Sequence, residues 1–412
     1  QEKVIKIGVI YPYSGALAAT GEILRSAVDL AVDYINNYHP EFAQEGIYFP
    51  IAEWEGISTL GGAKIEVIHK DHRAEPDRGA DLAKSLILDE QVDGLMGCYN
   101  SSVTKTASTV AERYGVPFIN AASTSPTLTE RGYEWFFRTT PHDRYFTKDL
   151  FELLEGLTEG AVKGVEAVPK EELDDLASAS ENTEWGAGVD KLIKEFAEEY
   201  DYNVVESLLY PHESPDLTSE VGKLLAAEPD ALLFASYVSD AILFIKTLKE
   251  HKAAPNLLWG MDAGFVIPDF IETIGPDTEG ILSRTLFSAK LTAVKPLTKL
   301  VNDEFKSRTG EDLTGVSGRA FTGMQAWAYV LAKAGSTDPE AIREVANKII
   351  IPGDELIMPW RGINYEDTET ETNQNTWAKG LIIQYQDQEP EIIYPFDLAT
   401  ADMVYPFPGW AD

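Results

Sequence analysis

Val92-Asp93-Gly94-Leu95-Met96-Gly97 runs into Cys98-Tyr99-Asn100-Ser101-Ser102-Val103-Thr104, a short buried strand that ends in small hydroxyl residues where a helix begins. The design recurs a few residues on. Val116-Pro117-Phe118-Ile119-Asn120 is a second apolar strand, followed by Ala121-Ala122-Ser123-Thr124-Ser125-Pro126. Buried strands that alternate with helices belong to parallel sheets covered on both faces. In open sheets of that kind, ligands lie beyond the carboxyl ends of the strands. Hydroxyls and backbone N–H groups collected there suit a small carboxylate, so the two motifs point to a binder of small polar molecules.

The alternation continues in both directions. Val4–Ile10 is β-rich, and Gly21–Tyr38 places Ile23, Ala27, Leu30, Ala31, Tyr34 and Ile35 on one helical face. Lys64–His69 reads as a strand, Pro76–Leu88 as a helix, Phe136–Thr139 as a strand and Asp143–Leu157 as a helix. A second cycle is predicted from strand Ala161–Ala167 through helix Gly186–Tyr200, strand Asn203–Leu209 and helix Pro215–Ala227. It goes on with strand Ala231–Ala235, helix Ser239–His251 and strand Asn256–Gly260. Two such series predict two similar α/β lobes. Helices follow at about Pro296–Arg308, Arg319–Ala334 and Pro339–Lys348, the last capped by Asp338 with Pro at its first position. The chain returns to strands at Gly380–Tyr385 and Glu391–Tyr394, around a turn at Asp387-Gln388. Three segments break the rhythm. His39–Gly62 reads as a surface-wrapping loop or a lid, Pro169–Thr183 as a solvated helical insertion, and the acidic Tyr365–Asn375 as a mobile loop.

Composition narrows the function. A chain of 412 residues with 44% apolar content can bury two ordinary cores. Its net charge of -34 argues against nucleic acid and against docking on anionic lipid, both of which need Lys and Arg. Cys98 is the only cysteine, which rules out an intrachain disulfide and a Cys-based zinc site; it reads as a small buried residue. No apolar run approaches the ~20 residues of a membrane helix. The opening Gln1-Glu2-Lys3 shows no export segment, so either the protein is cytoplasmic or its leader was removed before this numbering starts. There is no GxSxG elbow, P-loop, HExxH or early GxGxxG, so catalysis is the weaker option and no cofactor is expected. His69 and His72 flank Asp71, but the strand period turns them to opposite faces. They are not read as a metal site, and Asp71 is read as a strand end bonded to backbone.

Individual residues can carry the binding. Ser101 and Ser102 either cap a helix or leave its N-terminus, with its partial positive charge, for a carboxylate. The Thr124 hydroxyl can donate to a carboxylate and accept from an ammonium. Asp262 follows strand Asn256–Gly260 and is either a turn residue or the counter-charge for an amine.

The run Ala122-Ser123-Thr124-Ser125-Pro126-Thr127-Leu128-Thr129-Glu130-Arg131-Gly132-Tyr133, with Phe137-Arg138-Thr139, resembles the leucine/isoleucine/valine-binding branch of the type I periplasmic binding proteins. Gly8-Val9-Ile10-Tyr11-Pro12-Tyr13-Ser14-Gly15, Asn100-Ser101-Ser102 with Thr104, Trp185-Gly186 and Gly280-Ile281 extend the similarity along the chain. The resemblance implies an extracytoplasmic, periplasmic or cell-surface solute-binding protein of an ABC importer, with a membrane permease as partner and an amino acid, amide or aromatic acid as ligand. It implies two Rossmann-like lobes joined by a three-stranded hinge and closing on the ligand. Lobe one is expected at 1–141 and 290–350, lobe two at 142–289 and 351–400, and a tail at 401–412. Ser101, Ala122 and Thr124 would hold the carboxylate and amine, with Ser102 and Ser123 beside them. Asp262 would meet the amine, and Trp185 and Tyr237 would stand where the family has aromatics. Asp262 in place of Glu, Trp185 in place of Tyr, and Ser123 in place of a small apolar residue depart from the family pattern. The rival reading is a ligand-sensing domain on the same fold.

Overall fold

The computed structural model describes residues 4–411, so Gln1-Glu2-Lys3 and Asp412 lie outside the described residues. The chain forms two units, Gln1–His142 with Leu291–Lys379, and Asp143–Lys290 with Gly380–Asp412. In chain order the first unit opens with β1 (Val4–Tyr11), α1 (Ala18–Asn36), α2 (Glu41–Gln44), β2 (Lys64–Asp71) and α3 (Pro76–Leu88). It continues with β3 (Gly94–Gly97), α4 (Ser101–Tyr114), β4 (Phe118–Asn120) and β5 (Phe136–Arg138). The second unit holds α5 (Asp143–Thr158), β6 (Asp175–Glu181), α6 (Glu184–Tyr200), β7 (Asn203–Tyr210) and α7 (Thr218–Ala226). Then come β8 (Ala231–Ala235), α8 (Val238–Glu250), β9 (Leu257–Met261), α9 (Pro268–Ile274) and β10 (Leu282–Thr285). The first unit resumes with α10 (Pro296–Thr309), α11 (Gly315–Ala334), α12 (Pro339–Ala346), β11 (Ile350–Pro352), β12 (Gly362–Glu366) and β13 (Gln374–Asn375). The second closes with β14 (Leu381–Gln386) and β15 (Glu389–Tyr394).

Both sheets repeat one topology. The first runs β11-β12-β13-β5-β4-β3-β1-β2 and the second β15-β14-β10-β9-β8-β6-β7. Counted within each unit, the parallel part has the order 2-1-3-4-5. Its reversal lies between β1 and β3 in one sheet and between β6 and β8 in the other, the positions at which such sheets form ligand crevices. Antiparallel strands are added at one edge of each, β12 and β11 beyond β13, and β14 and β15 beyond β10. Asp387 and Gln388 both take positive φ (52° and 64°), as a tight two-residue hairpin between β14 and β15 requires. Asp338 caps α12 as expected, accepting from Ala341 N at 3.1 Å.

Several sequence expectations change here. Ala161–Ala167 is not a strand. Gly164 has φ 86°, and a Cβ there would lie 2.5 Å from the Asp402 side chain; the segment is a loop held to residues 402–403 by Met403 N→Lys163 O at 3.0 Å. The strand that opens the second sheet is instead β6, inside what reads as a solvated insertion. After Leu176 the strand is Ala177-Ser178-Ala179-Ser180, small residues with only a weak apolar alternation, and β6 lies between β7 and β8, buried on both faces. Only Lys170–Glu172 is a helical turn.

Tyr365–Asn375 is tied down at both ends, by β12 and by β13 against β5. Glu371 is buried in an ion pair with His142, and Thr372 N donates to Thr129 O at 2.8 Å. Residues 351–379 therefore belong with the first unit, not the second, because β13 extends its sheet through Gln374 and Arg138. The 401–412 stretch is no separate tail: Met403 and Phe407 are buried, and Gln384 Nε2 donates to Val404 O at 2.8 Å. His39–Gly62 wraps the first unit. Phe42 and Phe49 of that segment pack on Tyr34 of α1, at ring distances of 5.3 and 5.9 Å, and Phe321 of α11 completes the cluster.

Candidate functional site

The first unit gathers Ser101, Ser102, Ala122, Ser123 and Thr124 beyond the carboxyl ends of β3 and β4. α4 starts after Asn100, whose side chain makes no capping bond, and whose carbonyl takes Val103 N (3.1 Å) and Thr104 N (2.9 Å). The amides of Ser101 and Ser102 thus belong to the turn that intrahelical bonding cannot satisfy. Ser101 is buried and its Oγ accepts from Ser125 N at 3.3 Å; Ser102 is half-buried. Asn120, the last residue of β4, orders the second loop. Its Oδ1 accepts from Ala122 N (3.0 Å) and Ser123 N (2.9 Å), and its Nδ2 donates to Ser123 O. Ala122 can therefore offer a ligand its carbonyl rather than its N–H.

The Ser123 hydroxyl is engaged within the first unit. It donates to Tyr99 O at 2.9 Å and meets Thr104 Oγ1 at 2.5 Å, which ties the two strand ends together. Cys98 is fully buried, and burial pushes its thiol far above the ordinary range.

The three residues 69, 71 and 72 go separate ways. His69 meets Tyr13 OH at 2.6 Å and Asp29 at 2.8 Å, while Asp71 accepts Tyr13 N and Arg73 N. His72 is buried, with Nε2 donating to Cys98 O (2.7 Å) and Nδ1 accepting from Ala74 N (2.9 Å). That pattern requires the neutral ring, and burial lowers its pKa to about 4. The unfolded chain takes up this proton near pH 6.5 and the folded one only near 4, so stability is lost as pH falls through that window. The loss is expected to reach roughly 3 kcal/mol. Urea midpoints at pH 7 and at the acid end of the window should differ less in His72→Gln than in the parent; an equal slope in both would reject this assignment.

In the second unit Trp185 lies in the first turn of α6 and Tyr237 precedes α8. Both are buried, with rings 5.0 Å apart and 29° between planes. Asp262 follows β9 with φ 49° and is 2% exposed. Two residues that the sequence reading passed over join these. Arg284 of β10 lies with Nη2 2.6 Å from Asp143 Oδ1 and Nη1 3.9 Å from Asp262 Oδ2, its guanidinium 3.5 Å from the Phe146 ring centroid. Trp185 Nε1 donates to the same Asp143 oxygen at 3.3 Å. Glu181 and Asp240 flank His212 nearby. Burial opposes the His212 charge, yet Asp240 and Glu181 outweigh it and raise the imidazole to about 10.

A family model described as periplasmic binding protein matches residues 4–374. The chain belongs to that family. Among curated relatives of this periplasmic binding protein, Leu/Ile/Val-binding protein homolog 7 of Brucella suis biovar 1 (strain 1330) is 27% identical over 409 residues, covering 98% of this chain and 94% of that protein. Two solved structures share its fold. The branched-chain amino acid transporter substrate-binding protein of Streptococcus pneumoniae, in complex with isoleucine, has a TM-score of 0.72 and 20% identity over 98% of this chain and 100% of that one. A solute-binding protein of an ABC transporter from Rhodopseudomonas palustris BisB5, in complex with 3,4-dihydroxy benzoic acid, has a TM-score of 0.75 and 20% identity over 98% and 99%. Among the described residues no helix is long and apolar enough to cross a membrane.

Of the residues anticipated for this periplasmic binding protein, five meet at one sheet edge of the first unit. Trp185, Tyr237 and Asp262 meet at one edge of the second. Asp143, Arg284 and Arg319 were not anticipated. Arg319 carried the one usable signal, since it is the only basic residue in the otherwise small or apolar first part of α11, where nearly every residue is buried. Its guanidinium lies 5.9 Å from the Tyr99 ring centroid.

Proposed function

We propose that this periplasmic binding protein captures an amino acid outside the cytoplasm and presents it to the permease of an ABC importer, binding without turnover. Relatives named for Leu, Ile and Val support the transport reading. Neighbours of the same fold hold isoleucine in one case and benzoate-type acids in others, so the fold does not choose between ligand classes. The buried Asp262 carboxyl at the end of β9 favours an ammonium over a ligand that carries only a carboxylate. Ser101, Ser102 and the first amides of α4 take the carboxylate, with about 0.3–1 kcal/mol from the helix dipole and up to ~2 when partly buried. The Thr124 hydroxyl and the Ala122 carbonyl serve the polar head, Asp262 the amine, and Trp185 and Tyr237 the side chain. Ser123 acts by positioning Tyr99 and Thr104.

A thermal-shift panel of amino acids, amides and aromatic acids tests this. A ligand at ~100 times its Kd adds about 2.7 kcal/mol of stability. Asp262→Asn should weaken amino-acid binding by about 1.5–3 kcal/mol, roughly 10- to 150-fold. Unchanged amino-acid affinity in that variant removes Asp262 from the amine, and shifts seen only with aromatic acids reject the ligand class.

A further inference from the structure

The carboxyl ends of β6, β7 and β8 bring together a histidine and two buried acids that the ligand reading leaves unused. Glu181 is the last residue of β6, His212 lies two residues past β7, and Asp240 is in the first turn of α8. They stand at the reversal of strand order in the second sheet, where open α/β sheets place their ligands. His212 Nδ1 is 3.2 Å from Glu181 Oε2 and 3.8 Å from Asp240 Oδ2, and one donor atom from each of the three lies within 4.8 Å of the others.

Each acid is anchored through one oxygen. Glu181 Oε1 accepts from Thr183 Oγ1 at 2.8 Å, and Asp240 Oδ2 from Glu213 N at 3.1 Å. Of the other oxygens, Glu181 Oε2 is buried in an ion pair with His212 Nδ1, and Asp240 Oδ1 is buried with no hydrogen bond among the described residues. Side chains held from behind in this way, with donor atoms converging, are what a metal site requires.

We infer that Glu181, His212 and Asp240 form a site for a divalent transition-metal ion of the Zn²⁺ type. Donors about 2.0–2.2 Å from a tetrahedral ion lie about 3.4 Å from one another; His212 Nδ1 and Glu181 Oε2 are 3.2 Å apart, one donor atom from each of the three residues lies within 4.8 Å of the others, and the ion takes the place of the proton on the charged imidazole. The imidazole favours Zn²⁺ and its neighbours over Mg²⁺ or Ca²⁺. His212 is partly exposed, which leaves a path of entry, and water completes the shell. The His212 ring meets Tyr237 edge-on at 5.6 Å, so the ion braces the side chain assigned to ligand contact; that consequence rests on the ligand reading, the metal site does not. The second acidic group, Asp174, Asp175 and Asp230, is only half-buried and has no nitrogen donor.

The test is calorimetric titration of the chelator-stripped chain with Zn²⁺ in molar KCl, where the Debye length is about 3 Å and the acidic surface is screened. One equivalent is expected. His212→Ala and Glu181→Gln should each weaken it more than the tenfold or so that loss of an outer partner costs, while Asp230→Asn leaves it unchanged. Because the first two variants remove buried charges, X-ray absorption at the zinc edge of the parent protein gives a second measurement, with one imidazole among oxygen ligands expected. No stoichiometric uptake by the parent, an all-oxygen shell, or loss of binding in Asp230→Asn would overturn the site; His212 is then simply the cation that neutralises the two acids. None of these results depends on amino-acid binding, so failure here is distinguishable from failure of the ligand reading.

Discussion

Arg284→Met is expected to lower the stability of this protein by about 3–5 kcal/mol, the cost of breaking a buried ion pair from one side. Arg284 and Asp143 are essentially fully buried, and their contact is a 2.6 Å charge-assisted bond. Without the guanidinium, the buried Asp143 and Asp262 lose a cation that lies beside both. The Phe146 ring loses its cation as well. The loss reflects the acids left behind more than any net gain from the pair. Asp143→Asn in the Arg284→Met background should therefore recover most of it, and the double-mutant cycle should show strong coupling. Urea unfolding midpoints of the four proteins measure this. A loss below about 1 kcal/mol in the single variant would mean that the acids remain solvated, as in surface pairs.

The second large effect is at Arg138. This fully buried side chain donates three bonds of 2.6 Å, to Gln374 Oε1, Ser125 O and Thr129 Oγ1. Each acceptor left buried and unmatched costs roughly 1–3 kcal/mol, so Arg138→Met should lose at least about 3 kcal/mol. Arg138→Lys keeps the charge without the planar fork and should restore only a part. Because Arg138 holds the loop after Thr124, amino-acid affinity should fall together with stability, which calorimetry at a permissive temperature reads separately. Full affinity in Arg138→Met would show that the loop keeps its geometry without this clamp. Arg138 thus acts from behind the residues proposed to bind the ligand. Arg131 does the same, donating to Lys105 O at 3.0 Å and Ser108 Oγ at 2.7 Å of α4.

Much of the architecture was legible because it is written locally. Helical spacing in α1, the capped start of α12 and the turn at Asp387-Gln388 depend on neighbours a few residues apart. The hydroxyl clusters after β3 and β4 were legible for the same reason, as was their place at strand ends. β6 was hidden, since a central strand made mostly of Ala and Ser carries only a weak hydrophobic signal and follows an acidic run that looks solvated. The acidity of Tyr365–Asn375 misled in the same way. The partners that bury Glu371 and Asn373 come from the other end of the first unit's chain, at His142, Tyr133 and Glu134.

Local pattern accounts for the alternating α/β class, for the acidic character of the chain, and for which loops bear the polar groups. Charge compensation is another matter. Arg284 meets Asp143 across 141 residues, and Arg138 meets Gln374 across 236. No periodicity encodes such pairs, because long-range contacts arise only when packed sheets bring distant strand ends side by side. That Asp262 lies beside an arginine, and that the Ser123 hydroxyl bonds the Tyr99 carbonyl, was decided there.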